Sequence, residues 1–143
     1  GAIARYIDEA FDGPSLQPDD PADRARCSQL ISIADNYAYP HLVWGVYVER
    51  VSKPGEGSET DETKLTSSLA QARTILTALC DLMGKGPWML GERLTLTDLY
   101  WAPMMDYFLQ APEGAELTDE FPVLQEWWQR MAARPSIVGT RRT

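Results

Sequence analysis

Apolar residues recur along this chain at intervals of three and four, the period of a helix face. The clearest stretch is residues 94–110, LTLTDLYWAPMMDYFLQ. Thr95 is a good N-cap, and Asp98 three residues on can reach back to the free backbone N–H at the helix entry. A carboxylate there also meets the positive end of the helix dipole. Leu94 and Leu99 stand at the two positions of a hydrophobic staple. Leu96, Leu99, Tyr100, Pro103, Met104, Tyr107 and Phe108 then trace one face, with Trp101, Ala102, Met105 and Leu109 on the other. A helix apolar nearly all round belongs inside a bundle. The pattern predicts the central helix of an all-α domain.

Around it the same period marks further helices. Residues 2–11 form a short amphipathic helix through Ile3, Tyr6, Ile7, Ala10 and Phe11, too short to stand alone. Gly13, Pro14, Pro18 and Pro21 punctuate a linker. Asp20-Pro21-Ala22-Asp23 reads as an N-cap, a proline at N1 and an acid at N3. Helical pattern follows to about Val51, with Cys27, Leu30, Ile31, Ala34, Tyr37, Ala38 and His41 on one face; Pro40 inside this run predicts a kink or two helices meeting. Residues 52–63 carry no aliphatic or aromatic side chain and read as a mobile, solvated loop without a site. Leu65, Leu69, Ala72, Leu76, Leu79 and Met83 define the next helix, stopped at Gly84-Lys85-Gly86-Pro87. Ala111-Pro112-Glu113-Gly114 stops the central helix. Phe121-Pro122 opens another, with Leu124, Trp127, Trp128 and Met131 on one face, and Arg134-Pro135 ends it before a last turn at residues 136–140. No repeat and no strand emerges, so the expectation is a bundle of five or six helices.

Composition narrows the function classes. The chain has 143 residues, 44% hydrophobic and 24% charged, enough for one domain with a core. No run approaches the ~18–20 apolar residues a membrane helix needs, which predicts no membrane partner. Net charge −8 argues against nucleic acid as the main partner. Arg141 and Arg142 read as a frayed basic tail. Cys27 and Cys80 lie in helical apolar patterns and read as small buried hydrophobes, which suits a reducing compartment, most simply the cytoplasm. With His41 the single histidine, no zinc site is expected and no metal ligand set exists. No phosphate loop, nucleophile elbow or CxxC is present, and His41 reads as a packed histidine rather than a base. The anomaly is aromatic: Tyr37, Tyr39, Trp44 and Tyr47 gather around Pro40, and Trp101 and Tyr107 lie on the central helix. Rings of this kind serve either as core or as the lining of a cleft for small apolar ligands.

GERLTLTDLYWAPM resembles the segment of the glutathione S-transferase C-terminal domain in which a capping box, here Thr95 and Asp98, starts the buried central helix. DPADRAR resembles the opening of that family's first long helix, and FPVLQEWWQRMAARPSI its penultimate helix. AIARYIDEAF resembles the last helix of the thioredoxin-like N-terminal domain. The resemblance divides the chain into a remnant of that domain (residues 1–13) and the helical domain (residues 14–143).

The resemblance also implies chemistry. In this family the thioredoxin-like domain holds glutathione and the Tyr, Ser or Cys that activates its sulfur, while the helical domain lines the site for an apolar electrophile. The positions it points to are Tyr37, His41, Trp44, Trp101 and Met105, with Asp35 able to reach the glutathione of a partner subunit in a homodimer. Thr95 and Asp98 serve folding. No catalytic residue and no cofactor falls to this chain itself; glutathione is co-substrate of a full-length parent. Lowering the sulfhydryl pKa is the essential step, since the thiolate is the nucleophile, so the chain alone is expected to be inactive. The alternative implied by the same fold is a non-catalytic assembly module, as in translation factors and synthetase complexes.

Overall fold

A computed structural model of the chain describes residues 1–140. They form α1 (Ala2–Ala10), α2 (Pro21–Ile33), a π-helical segment (Ala34–Ser52), the single turn α3 (Lys53–Gly55), α4 (Glu62–Leu82), α5 (Leu96–Phe108), α6 (Pro112–Thr118), α7 (Pro122–Ala132) and α8 (Pro135–Thr140). The all-α expectation holds. Among the described residues the only β-type pairing is an isolated bridge between Trp88 and Gly91. The expected tail at Arg141 and Arg142 lies outside the described residues.

Several elements start where local chemistry demands. The Asp20 carboxylate accepts from the Ala22 and Asp23 amides at 2.8 and 3.2 Å and caps α2, whose first residue is Pro21. The Asp61 carboxylate caps α4 through the Lys64 amide at 2.9 Å. Where the sequence reads only as a stop, Pro112 opens α6. Gly114 allows the tight turn out of α5: a Cβ there would sit 2.1 Å from the Phe108 carbonyl oxygen.

The long first run departs most from expectation. Helical backbone continues through Pro40, so two separate helices do not meet there. From α2 through α3 the chain is one rod, with helical backbone at both joins. At its far end the Lys53 N–H donates to the Val48 carbonyl, five residues back, as π winding requires. In an α-helix a proline ring collides with the carbonyl four residues behind it. The wider turn moves that carbonyl aside, so the rod continues. Counted with the rod as one, the described residues make seven helical bodies rather than five or six.

The rod and α4 form the broad wall of the bundle, and α5 lies against α2, the π segment and α7. Ala34, Ala38, Leu42 and Val46 of the rod meet Leu76 and Leu79 of α4, Trp101, Met105 and Phe108 of α5, and Leu124, Trp127 and Met131 of α7 in one core. At the rod–α4 crossing the backbones approach closely: a Cβ on Gly45 would lie 2.0 Å from Ser68 Oγ and 2.4 Å from its Cβ.

Asp98 sets the position of α5. Its Oδ2 accepts the Thr95 N–H at 2.8 Å and the Thr95 hydroxyl at 3.0 Å, and its Oδ1 accepts the Met89 N–H at 2.9 Å and Trp127 Nε1–H at 2.8 Å. The capping box read from the sequence is therefore present, and the same carboxylate also ties in the preceding loop and α7. The linker joins at the same end. The Leu16 carbonyl accepts the Leu96 N–H at 2.9 Å, and the Leu16 N–H donates to the Asp8 carboxylate of α1 at 2.6 Å. α1 itself buries none of its residues, and Ile3, Tyr6, Ile7 and Phe11 remain exposed.

Substitutions at two places test this frame. Asp98→Ala strands three buried N–H donors at about 1–3 kcal/mol each, so chemical denaturation should show a loss of at least about 3 kcal/mol, against about 1 kcal/mol for Thr95→Ala. Equal losses would demote Asp98 to an ordinary cap. Gly45→Ala should cost about 1–3 kcal/mol by overpacking the helix crossing, and Ser68→Gly in that background should recover part of it.

Candidate functional site

A groove of about 450 Å³ opens between the rod, α5 and α8. Tyr47 contributes from the rod, and Ile137 and Thr140 from α8. The floor is α5, through Leu99, Ala102, Pro103, Asp106 and Tyr107, with Gln110 in the turn that follows, spaced three and one residues apart as one helical stripe demands. The rings of Tyr47 and Tyr107 meet at 4.6 Å between centroids, tilted by 47°. The volume lies within the range of small-molecule sites, and aromatic walls with a few polar groups are their usual lining.

The residues singled out from the sequence fall elsewhere. Trp101 and Met105 have no exposed surface and belong to the core, where Trp101 Nε1–H donates to the Leu30 carbonyl at 3.1 Å. Tyr37 and Trp44 stand on the outer side of the rod, 58% and 50% exposed. Trp44 packs edge-on against Tyr39 there, centroids 6.4 Å apart. His41 is half-buried and Asp35 exposed on the same rod. None of these residues lines the groove. On α5 the displacement is a single residue: Trp101 and Met105 face the core while their neighbours Ala102 and Asp106 face the groove. Tyr47 and Tyr107 belonged to the aromatic excess visible in the sequence. Their signal was the shared face of Leu99, Pro103 and Tyr107.

The described residues hold no group of three or more potential metal ligands. Cys27 is buried and accepts the Thr97 hydroxyl at 3.1 Å. Burial, reinforced by the charge of Asp81, pushes the Cys80 thiol up to about 11, so Cys80 offers no ready thiolate.

A second cluster of charged groups serves structure. Glu49 is fully buried, and its carboxylate accepts Lys53 Nζ at 2.6 Å, Lys64 Nζ at 2.8 Å and the Asp61 N–H at 3.1 Å. The Thr60 hydroxyl bonds to its carbonyl at 2.8 Å. Arg50 beside it forks onto Glu62 at 3.1 Å through both terminal nitrogens and reaches Glu113 through Nε at 2.7 Å. These contacts shorten the expected 52–63 loop: its first residues continue the rod, its last begin α4, and Glu49 holds Thr60 and Asp61, while residues 54–59 are exposed as the sequence predicts.

A glutathione S-transferase C-terminal domain model matches residues 40–135. The chain belongs to the glutathione S-transferase family, as its C-terminal domain. Glutathione S-transferase F14 of Arabidopsis thaliana is 29% identical over 143 residues, covering 97% of this chain and 56% of that protein. A glutathione S-transferase of Sinorhizobium meliloti superposes with TM-score 0.77 at 26% identity, over 98% of this chain and 64% of that one. Apo glutathione S-transferase III gives 0.84 at 24% identity, over 97% and 64%, which speaks to fold alone. The chain thus spans about half the length of the relatives it matches. Within this C-terminal domain the family match takes in α5 and the rod at Tyr47, and stops before the α8 wall of the groove.

Acid titration probes the Glu49 cluster. Burial pulls its pKa upward, but the hydrogen bonds from Lys53 and Lys64 prevail and hold it at about 2, below an ordinary value of 4.5. The native state therefore binds this proton less readily than the unfolded chain. Stability from Glu49 should be whole above pH ~4.5 and fall away between ~4.5 and ~2. In Glu49→Gln that part of the acid limb should flatten, as read by denaturation at a series of pH values.

Proposed function

We propose that the chain is the electrophile-binding half of a glutathione transferase whose full-length parent conjugates glutathione to apolar electrophiles. The observation that carries this is the groove floored by α5 and closed by the Tyr47–Tyr107 pair. Its contribution to the reaction is to remove the electrophile from water and hold it for attack. The thiolate itself comes from the thioredoxin-like half, of which residues 1–13 are the last helix. On this reading the chain alone is inactive, and glutathione is the parent's co-substrate rather than a ligand of these residues.

The parent is a homodimer in this proposal, and the exposed Tyr37, Tyr39 and Trp44 support it, since solvent-facing rings on one rod suit a protein contact. Asp35 shares that exposed rod and would reach the glutathione of the partner subunit from there; His41 borders the same face. The same rings support the second reading, a non-catalytic assembly module. The two differ in whether the whole protein turns over. Detoxification in the cytoplasm would be the corresponding physiological role.

The test is conjugation of glutathione to an activated aryl halide by the full-length product and by the 143-residue chain. The full-length protein should be active and the chain should not exceed the uncatalysed rate. Tyr107→Ala in the full-length enzyme should raise KM for the halide about tenfold, the worth of one well-packed aromatic contact, while leaving KM for glutathione unchanged. An inactive full-length protein would favour the assembly reading, and turnover by the chain alone would overturn the division of labour.

A further inference from the structure

α5 carries a proline in its interior, Pro103, on the stripe that floors the groove. Proline has no N–H, so the carbonyl four residues back, that of Leu99, loses the donor an α-helix would supply. Leu99 and Pro103 both line the groove, and Pro103 is exposed there. Helix carbonyls point along the axis toward the C-terminus, so the Leu99 oxygen is directed at the Pro103 ring, on the groove side of α5. Tyr107 lies one turn further on the same stripe and packs at a tilt against Tyr47. A flat molecule resting on the tyrosines and Pro103 therefore has its edge beside a strong backbone acceptor.

Several of the other polar groups around the groove hold bonds of their own. The Thr140 hydroxyl donates back to the Ser136 carbonyl at 2.8 Å. The Gln110 amide donates to the Asp106 carbonyl at 3.1 Å. Asp106 is not without a partner of its own. The Leu99 carbonyl is the acceptor whose regular partner the covalent structure itself removes.

We propose that the groove selects ring-bearing ligands with an N–H or O–H donor on the ring edge, which the Leu99 carbonyl accepts because Pro103 cannot. This rests on the groove being the ligand site, and it narrows the substrate class to donor-bearing aromatic molecules. A helix carbonyl left without its amide donor would take its hydrogen bond from water in the free protein. A ligand donor replaces that water, whereas an isosteric ring without a donor displaces it and returns nothing.

The test pairs indole with benzofuran, rings of nearly equal shape that differ in having or lacking the N–H, titrated into the full chain and followed by NMR. Indole should bind about fivefold more tightly, the usual worth of one neutral hydrogen bond, and should shift the Leu99 carbonyl-carbon resonance where benzofuran does not. Pro103→Ala restores an N–H to that carbonyl, so the preference should vanish although both rings still bind. Equal affinities in the wild type, or a preference that survives in Pro103→Ala, would overturn the inference and leave the groove intact as a site. Absence of shifts at Tyr47, Ala102 and Tyr107 with both rings would overturn the groove reading itself. The Leu99 carbonyl shift in the wild type decides the matter even if the variant folds poorly.

Discussion

The loop before α5, the first turn of α5 and the indole of α7 converge on the carboxylate of Asp98. A buried carboxylate is costly unless its oxygens are filled with donors, and here each oxygen receives two. The donors come from separate parts of the chain, so the site is satisfied only when those parts are assembled together. That makes it a device for specifying one arrangement as well as for stabilising a helix end. Since α5 floors the groove, the position of the groove follows from this convergence at the start of the same helix.

The other wall depends on a close crossing. Gly45 lets the rod lie against Ser68 of α4, and Tyr47, two residues further along, enters the groove. A rod broken at Pro40 would have carried Tyr47 away from Tyr107. The π winding that keeps the rod whole is therefore part of how the aromatic pair forms, and the Glu49 and Arg50 contacts hold the far end of that rod to α4 and α6.

Much of this frame is written in short-range chemistry. Thr95 with Asp98, Asp20 with Pro21, and Phe121 with Pro122 are signals within a few residues, and each marks its helix start in the structure. The periodic leucines of α4 are equally plain. What the sequence leaves open is rotation: α5 is apolar nearly all round, so nothing local says whether Trp101 or Ala102 faces a cleft. The aromatic residues accordingly mislead, because large rings suit a core as well as a pocket. Glu49 reads as one more surface charge, since its partners lie four, twelve and fifteen residues away. The winding around Pro40 has no sequence signature comparable to a cap, and α6 is too short for its period to register.

One helix, α5, thus carries two stripes with different obligations. Trp101, Met105 and Phe108 answer to the interior, while Leu99, Ala102, Pro103, Asp106, Tyr107 and Gln110 answer to whatever occupies the cleft. The two sets share Ala102 and Leu99, which touch the core as well as the groove, while Pro103 and Tyr107 are exposed and free of the core, so change at those outer positions need not disturb the interior. Such a helix can exchange its binding surface over generations while its fold is conserved, and a scaffold of this kind is well suited to diversify into many specificities.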